Sequence, residues 1–281
     1  MLAGLLHGKV IADEIKESLK QELLSLGRAP VLACIRVGDN PQSRVYVNVQ
    51  RKCAENLGIQ YRLYELAHGS TEAEVIDQIA ALNYDTSVTG IILQTPLPEQ
   101  MSYRNIIRYI SALKDVEGVN PRNIGWLLYG NAPLLPCTAA AVMELVRASQ
   151  CSLRGVEAVV VGHSEIVGKP LALLLLAELA TVSVCHIGTS EAGRLREHVE
   201  KADLLIVAAG RPGLIKGDWV KKGAVVIDVG INAVEGRIVG DVEFEAARER
   251  ASFITPVPGG VGPVTVAVLM RNCIEAVKLQ Q

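Results

Sequence analysis

The most specific candidate for chemistry in this 281-residue sequence is a glycine-containing loop at residues 162–168, which reads Gly-His-Ser-Glu-Ile-Val-Gly. It follows the apolar run 156–161 directly and precedes a segment predicted to be helical. Glycines let the backbone approach a pyrophosphate, and the free amides at a helix start favour negative charge. The spacing is not Gly-x-Gly-x-x-Gly, so the loop alone is compatible with a nucleotide site and with a tight strand-to-helix turn.

Three further side chains could take part in chemistry, although each has an ordinary structural explanation when taken alone. Gln94 follows the apolar run 90–93 and falls at the carboxyl end of a predicted strand, where open α/β sheets place their ligands. Asp115 alone is typical of a loop acid that caps a turn. Tyr46 alone is typical of a half-buried aromatic residue on a helix. These residues gain functional weight only from the motifs around them.

The elements that must position these residues alternate between apolar, β-rich runs and amphipathic stretches, which is typical of a parallel sheet covered by helices. We predict helices at about 10–26, 43–57, 139–148 and 261–278, with another ending at 178. We predict strands at about 30–37, 90–93, 156–161, 181–185, 203–207 and 224–229. The chain is therefore predicted to be α/β, with a doubly wound pattern after residue 138.

Composition restricts the class of partner. The 28 basic and 30 acidic residues give no net basic field, which argues against nucleic acid and anionic membranes as partners. The most apolar run, 170–177, is far shorter than the roughly 20 residues that span a bilayer, and the N-terminus lacks the series typical of a signal peptide. We therefore expect a cytoplasmic protein.

The six cysteines are scattered, and no two of them lie in a Cys-x-x-Cys arrangement. This argues against a metal knuckle or a redox dithiol, and buried thiols acting as small apolar residues are the better interpretation. We expect no metal site.

Several unusual strings occur in order along the whole chain. They lie at 43–47, 94–98, 114–118, 136–138, 162–170, 228–232 and 255–263. As an ordered set they closely resemble the methylenetetrahydrofolate dehydrogenase/cyclohydrolase family over essentially its full length. The resemblance implies an oxidoreductase of one-carbon metabolism, usually a homodimer, that acts on tetrahydrofolate with NADP or NAD.

The resemblance also implies two α/β domains with a cleft between them. Residues 1–137 plus 261–281 would form the folate-binding catalytic domain, and residues 138–260 would form a Rossmann-type nucleotide domain. The tail helix would return to pack on the first domain.

Site residues follow from the resemblance at matching positions. Tyr46, Gln50, Gln94 and Asp115 would form the catalytic group, with Asp115 accepting the amino group and ring N–H of the pterin in a forked, charge-assisted bond. Substrate would contact Tyr46, Val47, Gln94, Pro96, Leu97, Asp115, Pro258, Gly259 and Gly260. The nucleotide would contact Thr138, Gly162, His163, Ser164, Ile166, Val167, Ile187, Ala209, Gly210, Ile231 and Thr265.

Gln50 departs from the family pattern, because bifunctional members carry their catalytic lysine at this position. On a helix that advances about 100° per residue, Gln50 shares a face with Tyr46, whereas Arg51 and Lys52 point elsewhere. Glutamine can hold a hydrogen bond but cannot carry a proton at any ordinary pH. We therefore expect dehydrogenase activity with weak or absent cyclohydrolase activity.

Two other departures concern the nucleotide. His163 stands where an arginine is common, and Ile187 stands where a serine is common, near the ribose phosphate of NADP-dependent members. These changes remove a fixed cation and a hydroxyl, which favours NAD, although NADP is the family default.

Three alternatives stay open at this point. The chain could be fully bifunctional, or it could be a folate- or nucleotide-binding regulator that has lost catalysis. It could also be another two-domain dehydrogenase, acting on an amino acid or a shikimate-like substrate, but such enzymes should lack the 256–263 loop and the Asp115 string.

Overall fold

The computed structural model describes residues 2–281, which divide into two compact units. The large-sheet unit contains residues 2–13 and Thr138–Thr265. The small-sheet unit contains Glu14–Cys137 and Val266–Gln281. Each is described by itself below.

The helices include long amphipathic elements and short connecting ones. They are α1 (Gly8–Ser25), α2 (Pro41–Leu57), α3 (Glu72–Tyr84), α4 (Tyr103–Ile107), α5 (Pro121–Leu128), α6 (Cys137–Ala148), α7 (Gly168–Ala177), α8 (Ile187–Glu191), α9 (Leu195–Val199), α10 (Phe244–Arg248) and α11 (Val261–Leu279).

The strands are mostly short and buried. They are β1 (Gly4–Leu5), β2 (Val31–Val37), β3 (Gln60–Leu66), β4 (Gly90–Leu93), β5 (Glu157–Val161), β6 (Thr181–Cys185), β7 (Leu204–Val207), β8 (Val225–Asp228), β9 (Asn232–Val234), β10 (Arg237–Val239) and β11 (Phe253–Ile254).

The large-sheet unit contains a six-stranded parallel sheet in the order β1-β11-β8-β7-β5-β6. Its strands are near-continuous apolar runs, because helices cover both faces of such a sheet. The chain order reverses at β5, since β6 lies on one side of it and β7 on the other. Ligands of open α/β sheets bind at this kind of switch point. The glycine loop follows β5 directly.

The small-sheet unit contains a three-stranded parallel sheet in the order β3-β2-β4. Apolar side chains of α3 pack against its core, among them the fully buried Val75 and Ile79. The tail helix α11 belongs to this unit from Val266 onward, and Asn272 donates hydrogen bonds to the carbonyls of Val116 and Leu135. The predicted return of the tail to the first part of the chain is confirmed.

The α/β fold class with a doubly wound second part is confirmed, and predicted strands such as 90–93 and 181–185 end where expected. The compact units do not follow the predicted domain boundaries at the N-terminus. β1 pairs in parallel with β11, so residues 2–13 pack with the large-sheet unit. A two-residue strand carries no sequence signal, because its partner lies about 250 residues away. Within residues 2–281, no helix is long and apolar enough to cross a membrane.

Candidate functional site

Helix α2 presents one buried face to the small sheet, and that face carries position 50. Asn40 caps the helix by accepting hydrogen bonds from the amides of Gln42 (2.9 Å) and Ser43 (3.3 Å), and Pro41 starts its first turn. Val47 and Gln50 are 2% and 1% exposed, whereas Tyr46 is half-buried at the margin of the same face. Helical spacing therefore places Tyr46 and Gln50 as neighbours.

Gln50 is held by a tyrosine from the adjoining strand β3. The hydroxyl of Tyr61 donates to Oε1 of Gln50 at 3.0 Å. Arg51 and Lys52 are both exposed, and the guanidinium of Arg51 donates instead to Oδ1 of Asn48 at 2.9 Å. The helical geometry predicted from the sequence is confirmed, and neither cation takes the place of Gln50.

Lys114 is buried in the same unit but has a structural task. Its Nζ donates to the carbonyls of Leu82 (2.9 Å), Asn83 (2.8 Å) and Asp85 (2.7 Å), which end helix α3. Burial lowers its pKa from the ordinary lysine value. Since three carbonyls hold the ammonium at the helix end, Lys114 does not supply a lysine at the position that Gln50 occupies.

Gln94 lies at the end of β4, as predicted. Its backbone amide donates to the carbonyl of Ile35 (2.8 Å), and its Nε2 donates to the carbonyl of Thr95 (2.9 Å). The side-chain oxygen Oε1 is buried and has no hydrogen-bond partner among residues 2–281. After it, Pro96 is exposed and Leu97 packs against the core. An orphaned buried acceptor at a strand end suits a ligand that brings its own donor.

Asp115 is fully buried and is used by the fold. Its Oδ2 accepts hydrogen bonds from the amide of Asn120 (2.7 Å) and from Nδ2 of Asn123 (2.8 Å), which fixes the start of α5. Burial raises its pKa to about 6, although the amide of Asn120 opposes the shift. Oδ1 has no partner in the described part of the chain, yet the residue is 0% exposed. Direct contact between Asp115 and substrate stays a prediction.

Glu117 is a functional candidate that the sequence interpretation missed. It is half-buried, its Oε2 accepts a long hydrogen bond of 3.5 Å from Tyr103, and burial followed by the charge of Asp115 raises its pKa to about 8. Burial raises the pKa of Tyr46 well above its ordinary value, and the charges of Cys137 and Glu117 add to the shift. Glu117, unlike Asp115, therefore combines proximity to Tyr46 with partial exposure. Its place in the 114–118 string was the available signal.

The glycine loop of the large-sheet unit depends on two glycines. Gly162 has φ +126°, and a Cβ there would lie 2.2 Å from the carbonyl oxygen of Ala208. A Cβ on Gly168 would lie 2.0 Å from the carbonyl oxygen of Gly162. Helix α7 begins at Gly168, and no side-chain hydrogen bond from its N-cap residue Val167 is present. The tight turn and the uncapped helix start together fit a phosphate group.

Around this loop the side chains are exposed and form a mixed aromatic and apolar surface. The rings of His163 and His186 lie 5.2 Å apart between centroids. Ile166 and Ile187 are 40% and 52% exposed, which is unusual for isoleucine and is consistent with a role in binding. The hydroxyl of Ser164 accepts a hydrogen bond from the amide of Val167 at 3.1 Å.

A second nucleotide-contacting segment predicted from the sequence, Ala209–Gly210, is organised by a buried acid that the sequence interpretation did not identify. The carboxylate of Asp241 accepts hydrogen bonds from the amides of Ala209 (2.7 Å), Gly210 (2.8 Å) and Arg211 (2.8 Å), and from Nδ2 of Asn232 (2.8 Å). Asp241 therefore joins the turn after β7 to β9.

Asp228 supports this arrangement from the end of β8. Its carboxylate accepts hydrogen bonds from the amides of Gly230, Asp241 and Val242 at 2.9–3.0 Å, and burial raises its pKa to about 6. Ile231 is left 67% exposed beside it. Asp228 was recognised only as part of a motif, without a role.

The remaining predicted residues lie at helix starts. Thr138 is half-buried in the first turn of α6, and Thr265 uses its hydroxyl to donate to the carbonyl of Val261 at 3.1 Å. Pro258 and Gly259 are exposed ahead of α11, and the carbonyl of Gly259 accepts a 2.9 Å hydrogen bond from the amide of Gly8. A Cβ on Gly8 would lie 1.7 Å from the carbonyl oxygen of Gly260. These predicted folate contacts belong to the large-sheet unit.

The fold and the glycine loop define an α/β protein with a Rossmann-type nucleotide-binding unit. Residues 6–117 match the family described as Tetrahydrofolate dehydrogenase/cyclohydrolase, catalytic domain, and residues 136–281 match its NAD(P)-binding domain. The chain belongs to the tetrahydrofolate dehydrogenase/cyclohydrolase family. This assignment confirms the resemblance and sets aside a shikimate-like or amino-acid dehydrogenase.

Individual relatives are similar over their whole length. The bifunctional protein FolD of Acetivibrio thermocellus is 49% identical, with 100% of this chain and 99% of that protein covered. The crystal structure of the bifunctional enzyme FolD from Campylobacter jejuni has a TM-score of 0.95 at 45% identity, covering 99% and 100% of the two chains. The structure of the Trypanosoma brucei enzyme, complexed with NADP cofactor and inhibitor, has a TM-score of 0.94 at 38% identity, covering 99% and 98%.

Proposed function

We propose that this chain oxidises 5,10-methylenetetrahydrofolate to 5,10-methenyltetrahydrofolate, with NAD or NADP as the hydride acceptor, and that its cyclohydrolase activity is weak or absent. The observation that carries the proposal is Gln50, which is buried on α2 and hydrogen-bonded to the neutral hydroxyl of Tyr61. Family membership supports the dehydrogenase reaction. Gln50 separates the two reactions, because they make different demands on this position.

Dehydrogenation places a small demand on side-chain acid–base chemistry. The reacting carbon lies between two nitrogen atoms whose lone pairs stabilise the developing cation, so positioning suffices and no protein base is obligatory. Gln94 contributes an unpartnered Oε1 at the end of β4, and Tyr46 contributes an aromatic face for the pterin.

Hydrolysis of the methenyl product demands more. Water must add to the carbon, and a proton must leave that water. Gln50 cannot accept a proton, and the phenol of Tyr46 stays protonated near neutral pH because burial raises its pKa. Arg51 and Lys52 are exposed, and Lys114 is held by three carbonyls. Position 50 therefore lacks the proton carrier that bifunctional members place there.

We assign recognition of the pterin to Glu117 in preference to Asp115. A pterin presents an amino group and a ring N–H side by side, and a carboxylate accepts both in a charge-assisted fork. Glu117 is half-buried and electrostatically close to Tyr46, whereas Asp115 already uses one oxygen to fix α5. The small-sheet unit would then bind the folate.

The large-sheet unit would bind the nucleotide. Gly162 and Gly168 permit close approach of a pyrophosphate, and the amides at the start of α7 would face its charge. When bound, the nicotinamide accepts the hydride. His163 and Ile187 take positions where a fixed cation and a hydroxyl would serve a ribose phosphate, so we favour NAD over NADP.

The test is to assay both half-reactions, with NAD and with NADP, on the wild type and on Gln50→Lys. We expect wild-type dehydrogenase turnover, initial rates at matched concentrations that favour NAD, and hydrolysis at least about tenfold slower. We expect Gln50→Lys to gain hydrolysis, since general base catalysis contributes typically 10²-fold or more. Gln42→Lys makes the same substitution at an exposed position of α2 and should leave hydrolysis unchanged.

Three results would contradict the proposal. Wild-type hydrolysis at a rate comparable to dehydrogenation would show a fully bifunctional enzyme. Folate binding without any hydride transfer would show a regulator that has lost catalysis. A clear preference for NADP would reject the assignment of NAD.

Assembly and location stay predictions. The family resemblance predicts a homodimer, which sedimentation equilibrium of the purified chain would test. The predicted cytoplasmic location would be tested by fractionation of the native cells.

A further inference from the structure

Tyr61 controls which end of the Gln50 side chain is free. Tyr61 lies on β3, in register with Leu32 of β2, and its hydroxyl donates to Oε1 of Gln50 at 3.0 Å. A glutamine amide has an acceptor oxygen and a donor nitrogen, and the tyrosine bond uses the oxygen. The amide nitrogen is therefore the end of Gln50 left for other partners.

The surroundings keep Tyr61 in its donating form. Burial raises the pKa of the Tyr61 phenol well above its ordinary value, and the nearby Cys34 adds to this shift, while Arg51 opposes it. Burial also raises the pKa of the Cys34 thiol to about 12. Both groups are therefore protonated at neutral pH, and the contact between Tyr61 and Gln50 is a neutral hydrogen bond.

We propose that Tyr61 is a positioning residue that, together with Gln50, excludes the hydrolytic reaction; this inference rests on the proposed function. A tyrosine oxygen also accepts hydrogen bonds, so an ammonium placed at position 50 would donate to Tyr61. A hydrogen bond to the charged form favours that form, and a buried ammonium has few other acceptors. A lysine held in this way stays protonated and cannot take the proton that water releases as its oxygen bonds to the methenyl carbon.

The experiment compares Gln50→Lys with Gln50→Lys/Tyr61→Phe. Removing the hydroxyl should raise the rate constant for hydrolysis of methenyltetrahydrofolate by about fivefold, the effect of one hydrogen bond of about 1 kcal/mol, with little change in KM. The pH–rate profile of the double variant should also shift to lower pH, because its lysine loses the acceptor that favours the ammonium. Loss of a merely structural hydroxyl would not raise a rate.

The matched control is Tyr64→Phe in the Gln50→Lys background. Tyr64 lies three residues further along β3, so it faces the opposite side of the strand and packs against the apolar core. This control should leave hydrolysis unchanged. Circular dichroism of every variant verifies folding.

Equal hydrolysis by the single and double variants overturns the inference, and so does background hydrolysis in both. Rates that rise equally with Tyr64→Phe also overturn it. The ratio of double to single variant is independent of the wild-type rates, which alone decide whether the proposed function fails.

Discussion

Two carboxylates of one short motif have different environments although only Val116 separates them. Asp115 lies beside β4 through a parallel bridge with Ile91 and is closed off from solvent. Glu117 retains partial exposure and lies near Tyr46. Side chains two residues apart in extended backbone point the same way, so their difference comes from what covers each of them.

This difference predicts separate effects of Glu117→Gln and Asp115→Asn. Glu117→Gln should raise KM for the folate substrate by about 10- to 100-fold, because it replaces a charge-assisted fork worth about 1.5–3 kcal/mol. Asp115→Asn should lower the melting temperature, since the buried group anchors α5. Steady-state kinetics and thermal unfolding measure both effects. A KM increase in Asp115→Asn at unchanged melting temperature would return the pterin to Asp115.

At the scale of the element, several helices depend on caps that come from distant parts of the chain. Helix α3 starts with a local capping box, in which Thr71 and Glu74 exchange hydrogen bonds. Its end is stabilised by Lys114, about 30 residues away, whose ammonium bonds three carbonyls. The first cap is readable in the sequence, whereas the second requires the fold.

We predict that Lys114→Met lowers the free energy of unfolding by about 2–3 kcal/mol, because it leaves buried carbonyls without a donor. Urea unfolding followed by circular dichroism measures the change. Lys52→Met, an equivalent substitution on an exposed face, should stay within about 0.5 kcal/mol of the wild type. Equal effects of the two substitutions would contradict the assigned role of Lys114.

At the scale of the whole molecule, each compact unit contains one tryptophan and can be followed separately. Trp126 belongs to the small-sheet unit and Trp219 to the large-sheet unit. A Trp219→Phe background therefore lets fluorescence report the unfolding of the unit that contains Glu117.

In that background we predict that stability falls as pH rises from about 5 to 8.5. Burial raises the pKa of Glu117 from 4.5 to about 8, so between these values the folded state binds more protons than the unfolded state. Its stabilising contribution is present below the unfolded pKa and is lost as pH rises through the folded pKa, by at most about 1.4 kcal/mol per pH unit.

Glu117→Gln should flatten this dependence, because the neutral amide does not titrate. Urea titrations of Trp126 fluorescence at pH 5.5, 7 and 8.5 provide the measurement. A slope that is equally steep in Glu117→Gln would assign the pH dependence to other groups.

The sequence by itself determined the fold class, the family and the unusual residue at position 50. Apolar periodicity records which residues are buried, and ordered motifs record ligand chemistry, so both are readable along the chain. The tertiary structure decided that Tyr61 holds Gln50, that Asp241 organises the turn after β7, and that residues 2–13 join the large sheet. It also distinguished Glu117 from Asp115. These features depend on contacts between residues far apart in sequence and on burial, which no local pattern encodes.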